Sequence, residues 1–268
     1  MYLNYKDNPR LSFIGEAATC NRHRAINIFR YAIKNYPDNP QLFLSLALSY
    51  KEGKHNSLAI DAYDKALNLY PDYYEAWVSK GLFLMEMGQL PRAYDCLYQA
   101  YGISPDRVEV NVSLGNLCRE IGDYESALSF YNTAISIEEI PALFLHRGCV
   151  HGKLNKIDEA FKDFKRALSL NTCEHFKMEV FYYRIRLYEK LERYQEALED
   201  MELIEILHGG EAHWISHKKG MLFYKLGRRE EAIKCYYTAI RLDSNCPECH
   251  KELKKIMNSS GEDRAQSN

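Results

Sequence analysis

No run of about 18 apolar residues occurs in this chain of 268, so a membrane-spanning helix is not expected. The segment Met1 to Arg10 is polar and has no apolar core of the signal-peptide kind; the expected location is the cytoplasm. Charge of one sign is also lacking. The 35 Lys and Arg residues face 37 Asp and Glu, a net charge of -2, which leaves no basic footprint for nucleic-acid phosphates. The eight cysteines are scattered rather than set in a tight framework, and most are expected to be reduced and structural. A phosphate-cradling glycine loop, a serine hydrolase elbow and an HExxH pattern are all missing. No catalytic residue, cofactor or metal is therefore expected.

What the chain does contain is a period. Ala25, Ala59, Ala93, Ala127, Ala160, Ala197 and Ala232 recur at steps of about 34 residues. A helical stretch of that length makes one pair of helices. One pair cannot cover its own apolar faces, so it must stack on copies of itself.

The clearest copy runs from Tyr74 to Arg107, with Trp77, Gly81, Leu84, Gly88, Ala93, Leu97, Ala100 and Pro105 at intervals that suit helix, turn, helix and stop. Gly81 lets the first helix lie close to the second, where Ala93 and Ala100 present only methyl groups. Gly88 falls at the turn, where a positive φ is cheap for glycine. Pro105 opposes continuation of the second helix.

This pattern of aromatic, Leu, Gly, Tyr, then Ala, aromatic, Ala and Pro resembles the tetratricopeptide repeat (TPR) family. Other copies carry Phe43, Leu46, Ala47, Tyr50, Ala59, Tyr63, Ala66 and Pro71; Leu114, Gly115, Gly122, Ala127, Tyr131 and Ala134; Phe144, Gly148, Ala160, Phe164 and Ala167; and Gly220, Phe223, Gly227, Ala232, Tyr236 and Ala239. The resemblance implies an all-α fold, a right-handed α-α superhelix or TPR solenoid, with about six to seven helix-turn-helix repeats and a C-terminal capping helix.

The expected organisation is a flexible N-terminus at 1–8, a single solenoid over 9–257 and a disordered polar tail at 258–268. Within the solenoid the repeats fall at 9–39, 40–73, 74–107, 108–140, 141–174, 178–210 and 213–246, with the cap helix at 247–257. The first is degenerate, since Pro9 to Ala18 lacks the expected aromatic and glycine at the places the period assigns them. The sixth in this order is degenerate too: Ile185 replaces glycine, Ile204 replaces alanine, and the insertion Asn171 to Lys177 precedes it. Bulk at those positions is expected to push the helices apart and change the local pitch.

The resemblance further implies that the first helix of each repeat lines a concave surface that receives a protein or peptide. In the early repeats the inward positions include Leu44, Leu48, Val78, Leu82, Met85, Val112, Asn116 and Arg119, with Ser45, Ser79 and Ser113 beside them: a small, apolar groove. Later ones add Leu145, His146 and Cys149, then Tyr182, Tyr183, Arg186, Trp214, His217, Lys218 and Met221, an aromatic and basic end. Aromatics and Arg are common interface anchors. From Lys218 to Lys255 ten Lys and Arg stand against five Asp and Glu, an excess that would steer an acidic segment. The two-carboxylate clamp of heat-shock cochaperones needs inward Lys and Asn where this chain has Leu44, Leu48, Ser79 and Ser113. The asparagine ladder of some TPR sugar transferases is reduced to Asn116.

Two patterns outside the repeats carry chemistry. Cys246-Pro-Glu-Cys249-His250 matches both c-type haem attachment and a redox pair, although these residues open the capping helix; Cys235 precedes them. His213 and His217 are spaced for one helix face, with His208 nearby, as in some metal sites. The function expected is a non-enzymatic adaptor binding a protein or peptide. A self-associating scaffold, hence a homo-oligomer, and a metal or redox protein using Cys246 and Cys249 are the alternatives.

Overall fold

The computed structural model describes Phe13, Ala17, residues 22–171 and residues 173–265. Among them are fourteen α-helices and no strand: α1 Arg22–Asn35, α2 Pro40–Glu52, α3 Asn56–Leu69, α4 Tyr74–Glu86, α5 Leu90–Ile103, α6 Val108–Ile121, α7 Tyr124–Ile137, α8 Pro141–Lys153, α9 Ile157–Leu170, α10 Glu174–Lys190, α11 Tyr194–His208, α12 His213–Lys225, α13 Arg229–Leu242 and α14 Pro247–Ala265. The expected flexible segment at 1–8, and the first helix expected ahead of α1 apart from Phe13 and Ala17, lie outside the described residues. Helices α1–α7 belong to a compact unit that ends at Glu139, and α8–α14 belong to a second that begins at Ile140. Inside each unit every helix packs on the next in chain order; α4 also meets α6, and α8 meets α10.

Local chemistry sets the helix ends. Pro40 and Pro141 occupy the first turns of α2 and α8, where the missing N–H removes no helical bond. The Asn39 side chain accepts from the Gln41 N–H at 3.0 Å, and the Asp123 side chain accepts from the Ser126 N–H at 3.1 Å. Each two-helix hairpin from α2–α3 to α12–α13 turns on one residue of positive φ: Lys54, Gly88, Gly122, Asn155, Glu192 and Gly227. Glycine adopts that conformation without a Cβ clash, whereas Glu192 holds it at φ 57°. Glu192→Gly should therefore raise stability by about 1 kcal/mol, read as a higher melting temperature, and Asn155→Gly should gain less, because Asn tolerates the left-handed region better.

The seven period alanines are all buried, six of them completely. Opposite four of them, Ala93, Ala127, Ala160 and Ala232, the first helices approach through glycine. A Cβ added at Gly81 would stand 2.7 Å from Leu97 Cγ; at Gly115, 2.8 Å from the Tyr131 ring; at Gly148, 2.9 Å from the Phe164 ring; at Gly220, 3.0 Å from the Tyr236 ring. In each case the large partner lies sixteen residues further on. In α10–α11 the glycine position is Ile185 and its counterpart is Met201, both fully buried in one cluster. Bulk has moved to the first helix, and an unbranched thioether stands where a ring stands in Tyr131, Phe164 and Tyr236.

Two boundaries differ from the sequence reading. The insertion Asn171 to Lys177 is not a loop throughout: α10 begins at Glu174 and runs 17 residues, so Glu174 to Lys177 add a helical turn ahead of the expected start at Met178. Cys173, with its N–H bonded to Asn171 Oδ1 at 2.7 Å, precedes that turn. At the other end α14 does not stop at Met257 but continues to Ala265. No proline follows Pro247, and the i to i−4 ladder proceeds through the polar stretch. Of the tail expected to be disordered, only 266–268 lie outside the described residues.

Candidate functional site

In the first unit, the expected inward positions fall on α2, α4 and α6. Leu48 and Leu82, 34 residues apart in equivalent places, are 41% and 38% exposed. Val78, Met85, Val112, Asn116 and Arg119 are half-buried. Leu44 is different: at 8% exposure it belongs to the core with Ala17, Ile26 and Phe29, so it backs the surface instead of lining it. Leu145, at the same register in α8, is buried as well. Ser113 is also buried, and its hydroxyl donates to the Glu109 carbonyl of its own helix at 2.7 Å.

Several polar groups around this face are engaged with their own chain. Lys51 donates to Glu86 at 2.7 Å, one repeat away, and Tyr131 Oη donates to Asn116 Oδ1 at 2.7 Å. Arg107 reaches Glu75 at 3.3 Å and lies over the Tyr74 ring with its guanidinium carbon 4.2 Å from the centroid. The Lys51–Glu86 pair is largely exposed and contributes at most about 1 kcal/mol, whereas the Tyr131 hydroxyl that Asn116 accepts from belongs to a buried ring.

In the second unit, Tyr182 is exposed and Tyr183 half-buried, with ring centroids 6.1 Å apart in an edge arrangement. Arg186 is exposed one turn along. Trp214 is 38% exposed, and the His208 ring meets it edge-on at 5.9 Å. His217 is half-buried. Its Nε2 is buried without a hydrogen-bond partner and its ring lies 5.9 Å from that of Tyr236. Burial pushes its pKa below the ordinary histidine value, against the pull of Glu248. Lys218 is bonded to Glu189 at 2.8 Å.

The basic excess counted between Lys218 and Lys255 is thus offset within the fold. Lys219 pairs with Glu205 at 2.8 Å and Arg241 with Glu211 at 2.8 Å, both acids lying outside the counted stretch. A tally along the sequence misses neighbours that only stacking of helices supplies. Among the described residues no three His, Cys, Asp or Glu side chains converge as a metal site, which includes the histidines at 208, 213 and 217.

Sequence reasoning also missed two buried ion pairs. Arg147 grips Asp163 through two bonds, 2.9 Å and 2.6 Å, and Arg184 grips Asp200 in the same way, with its Nε at 2.6 Å. Both span sixteen residues and join the two helices of one hairpin, immediately before Gly148–Phe164 and Ile185–Met201. The repeated Arg-to-Asp spacing was the available signal. These pairs hold hairpins that carry candidate binding residues, Tyr182, Tyr183 and Arg186 among them.

Tetratricopeptide repeat family models match residues 21–73, 62–95, 108–140, 142–172 and 215–246. DnaJ homolog subfamily C member 7 of Homo sapiens is 28% identical over 138 residues, 50% of this chain and 26% of that protein, so the chain spans about a quarter of its length. A tetratricopeptide repeat protein from Parabacteroides merdae superposes with TM-score 0.66 at 16% identity, covering 92% of this chain and 98% of that one. PilW, a type IV pilus biogenesis factor, gives TM-score 0.68 at 17% identity over 80% of this chain and 98% of its own. YrrB, a TPR protein with an unusual peptide-binding site, gives 0.54 at 19% over 72% and 98%. At such identities the structural likeness shows the fold. No helix among the described residues is long and apolar enough to cross a membrane.

Proposed function

Because this chain belongs to the tetratricopeptide repeat family, whose members mediate protein–protein interaction, we propose that it is a non-enzymatic adaptor or scaffold. It holds a protein or peptide segment along the exposed side of its first helices. The observation that carries this reading is the pair Leu48 and Leu82, large aliphatic side chains left more than a third exposed at equivalent places while the adjacent Lys51 and Glu86 neutralise each other. A partner covering them removes apolar surface from water. It also meets a surface already ordered by packing, so little freedom is lost on binding.

The partner is recognised by apolar side chains in the first unit and, in the second, by groups that suit Tyr182, Tyr183, Arg186 and Trp214. It is not a terminal carboxylate of the clamp type. Leu48 and Ser79 supply no cationic donor at the clamp positions, and Leu44 and Ser113 are buried. The peptide-binding site described for YrrB lends the reading support at the level of the fold.

Substitution tests the proposal. Leu48→Asp/Leu82→Asp should weaken partner binding about tenfold or more, as loss of central anchors does, while leaving helicity unchanged because both sites are exposed. Tyr183→Ala/Trp214→Ala should do the same for the second unit. Crosslinking pull-downs that recover every partner with equal yield from both variants would show that these faces do not bind.

A further inference from the structure

The partner-binding faces leave Cys246 and Cys249 unused. Cys246 immediately precedes α14, Pro247 occupies the first helical position, and Cys249 lies within the first turn. The two sulfurs form a disulfide across a Cα–Cα distance of 5.3 Å. The Cys249 N–H donates to Cys246 Sγ at 3.3 Å, so the sulfur takes the place a capping oxygen takes at other helix starts. Both residues sit in the second unit's core cluster with Tyr236, Ala239, Leu253 and Ile256.

A disulfide that closes so short a loop removes little freedom from the unfolded chain, which argues against a staple. Its placement suits exchange instead. A sulfur at a helix N-terminus is favoured as thiolate by the N–H groups and the helix dipole, and the thiolate is the reactive form. Both residues are buried, and Cys246, which keeps 8% of its surface where Cys249 keeps none, is the one nearer solvent. The spacing puts the second thiol within reach of the first without any backbone movement. The neighbouring free thiol of Cys235 is half-buried and is not needed for the reaction.

We propose that Cys246 and Cys249 form a reversible dithiol–disulfide couple that exchanges with low-molecular-weight disulfides of the glutathione class, Cys246 acting first. In oxidation, the Cys246 thiolate attacks one sulfur of the small disulfide. A mixed disulfide forms and one small thiolate leaves, taking a proton from solvent. Cys249 then loses its proton to solvent and attacks Cys246 Sγ, expelling the second small thiolate, which is protonated in turn. Two protein thiols are oxidised to one disulfide as one small disulfide is reduced to two thiols. Reduction runs the same steps backwards and leaves Cys246 as the cap of α14.

The test uses the full chain in buffers of graded reduced-to-oxidised glutathione ratio, quenched with acid, alkylated and mapped by mass spectrometry. Cys246 and Cys249 should pass together from disulfide to dithiol within the series. A pair that stays disulfide, or stays dithiol, at every ratio overturns the proposal, and that readout requires no variant. Cys249→Ser should trap glutathione on Cys246 about tenfold faster than Cys246→Ser traps it on Cys249, because the outer, helix-capping sulfur attacks first. Equal trapping rates overturn the order of attack and the proposal with it.

Discussion

Arg184→Ala should destabilise the second unit by about 3–5 kcal/mol at neutral pH, because it strands a carboxylate that the fold keeps dry. The Asp200 side chain is 4% exposed, against 21% for Arg184, so the acid cannot reach water when its partner is cut away. The arginine also lies over the Phe181 ring, 5.0 Å from its centroid, and that contact goes too. Asp200→Asn should cost less, since the guanidinium left behind can turn outward. Replacing both partners together, Arg184→Met/Asp200→Leu, should recover most of the loss: an apolar pair needs no compensation for desolvation.

The pH dependence has a definite sign. Burial already pushes the Asp200 carboxyl above its ordinary 3.8, and the Arg184 fork pulls it back. Without that fork the folded-state value rises further above the unfolded one. A carboxyl with a raised folded pKa binds its proton more tightly in the native state, so stability falls as pH climbs from the unfolded value to the folded one. The Arg184→Ala defect should accordingly be smaller at pH 5 than at pH 8 in urea unfolding. Trp214 fluorescence reports the second unit in that experiment, and Trp77, in the first, is removed by Trp77→Phe. A defect that is the same at both values would show that the stranded charge is not its origin.

Two glycines of α8 should respond in opposite directions. Gly148→Ala places a Cβ 2.9 Å from the Phe164 ring and 3.2 Å from the Ala160 carbonyl oxygen. The ring is buried and the carbonyl is backbone, so neither yields easily; the overpacking should cost about 1–3 kcal/mol even after alanine's better helix propensity is counted. Gly152→Ala meets only Leu187 at 3.4 Å, an ordinary contact. There the propensity gain should stand alone and raise stability by up to about 1 kcal/mol. Thermal unfolding of the two variants, which differ by four positions on one helix, separates packing from propensity. If both variants melted above the wild type, close helix approach at Gly148 would not be what fixes the hairpin.

The fold was legible in the sequence because its determinants are short-range. Small residues at Ala93, Ala127 and Gly148, and turn residues such as Gly88 and Gly122, act through backbone approach and φ, and they appear directly in the period. The candidate site was legible in part. Counting along α2 and α4 finds Leu48 and Leu82, but it cannot say that Leu44 is buried in the core cluster that also holds Ala17 and Phe29. Nor can it show that Lys218 and Lys219 meet Glu189 and Glu205. Those neighbours arrive through stacking of different helices, as do the Arg147–Asp163 and Arg184–Asp200 pairs. A helix wheel records what shares a face, not what lies across from it.

The exchange of glycine and ring for Ile185 and Met201 has a consequence for how such hairpins tolerate change. What is held fixed at the interface is a shared volume divided between two positions, so neither residue is free to drift alone. A ring introduced at 201 would demand glycine at 185 in the same step, and glycine at 185 alone would open a void beside Met201. Substitutions at these two sites should be deleterious singly and mutually suppressing, which makes the pair one heritable unit.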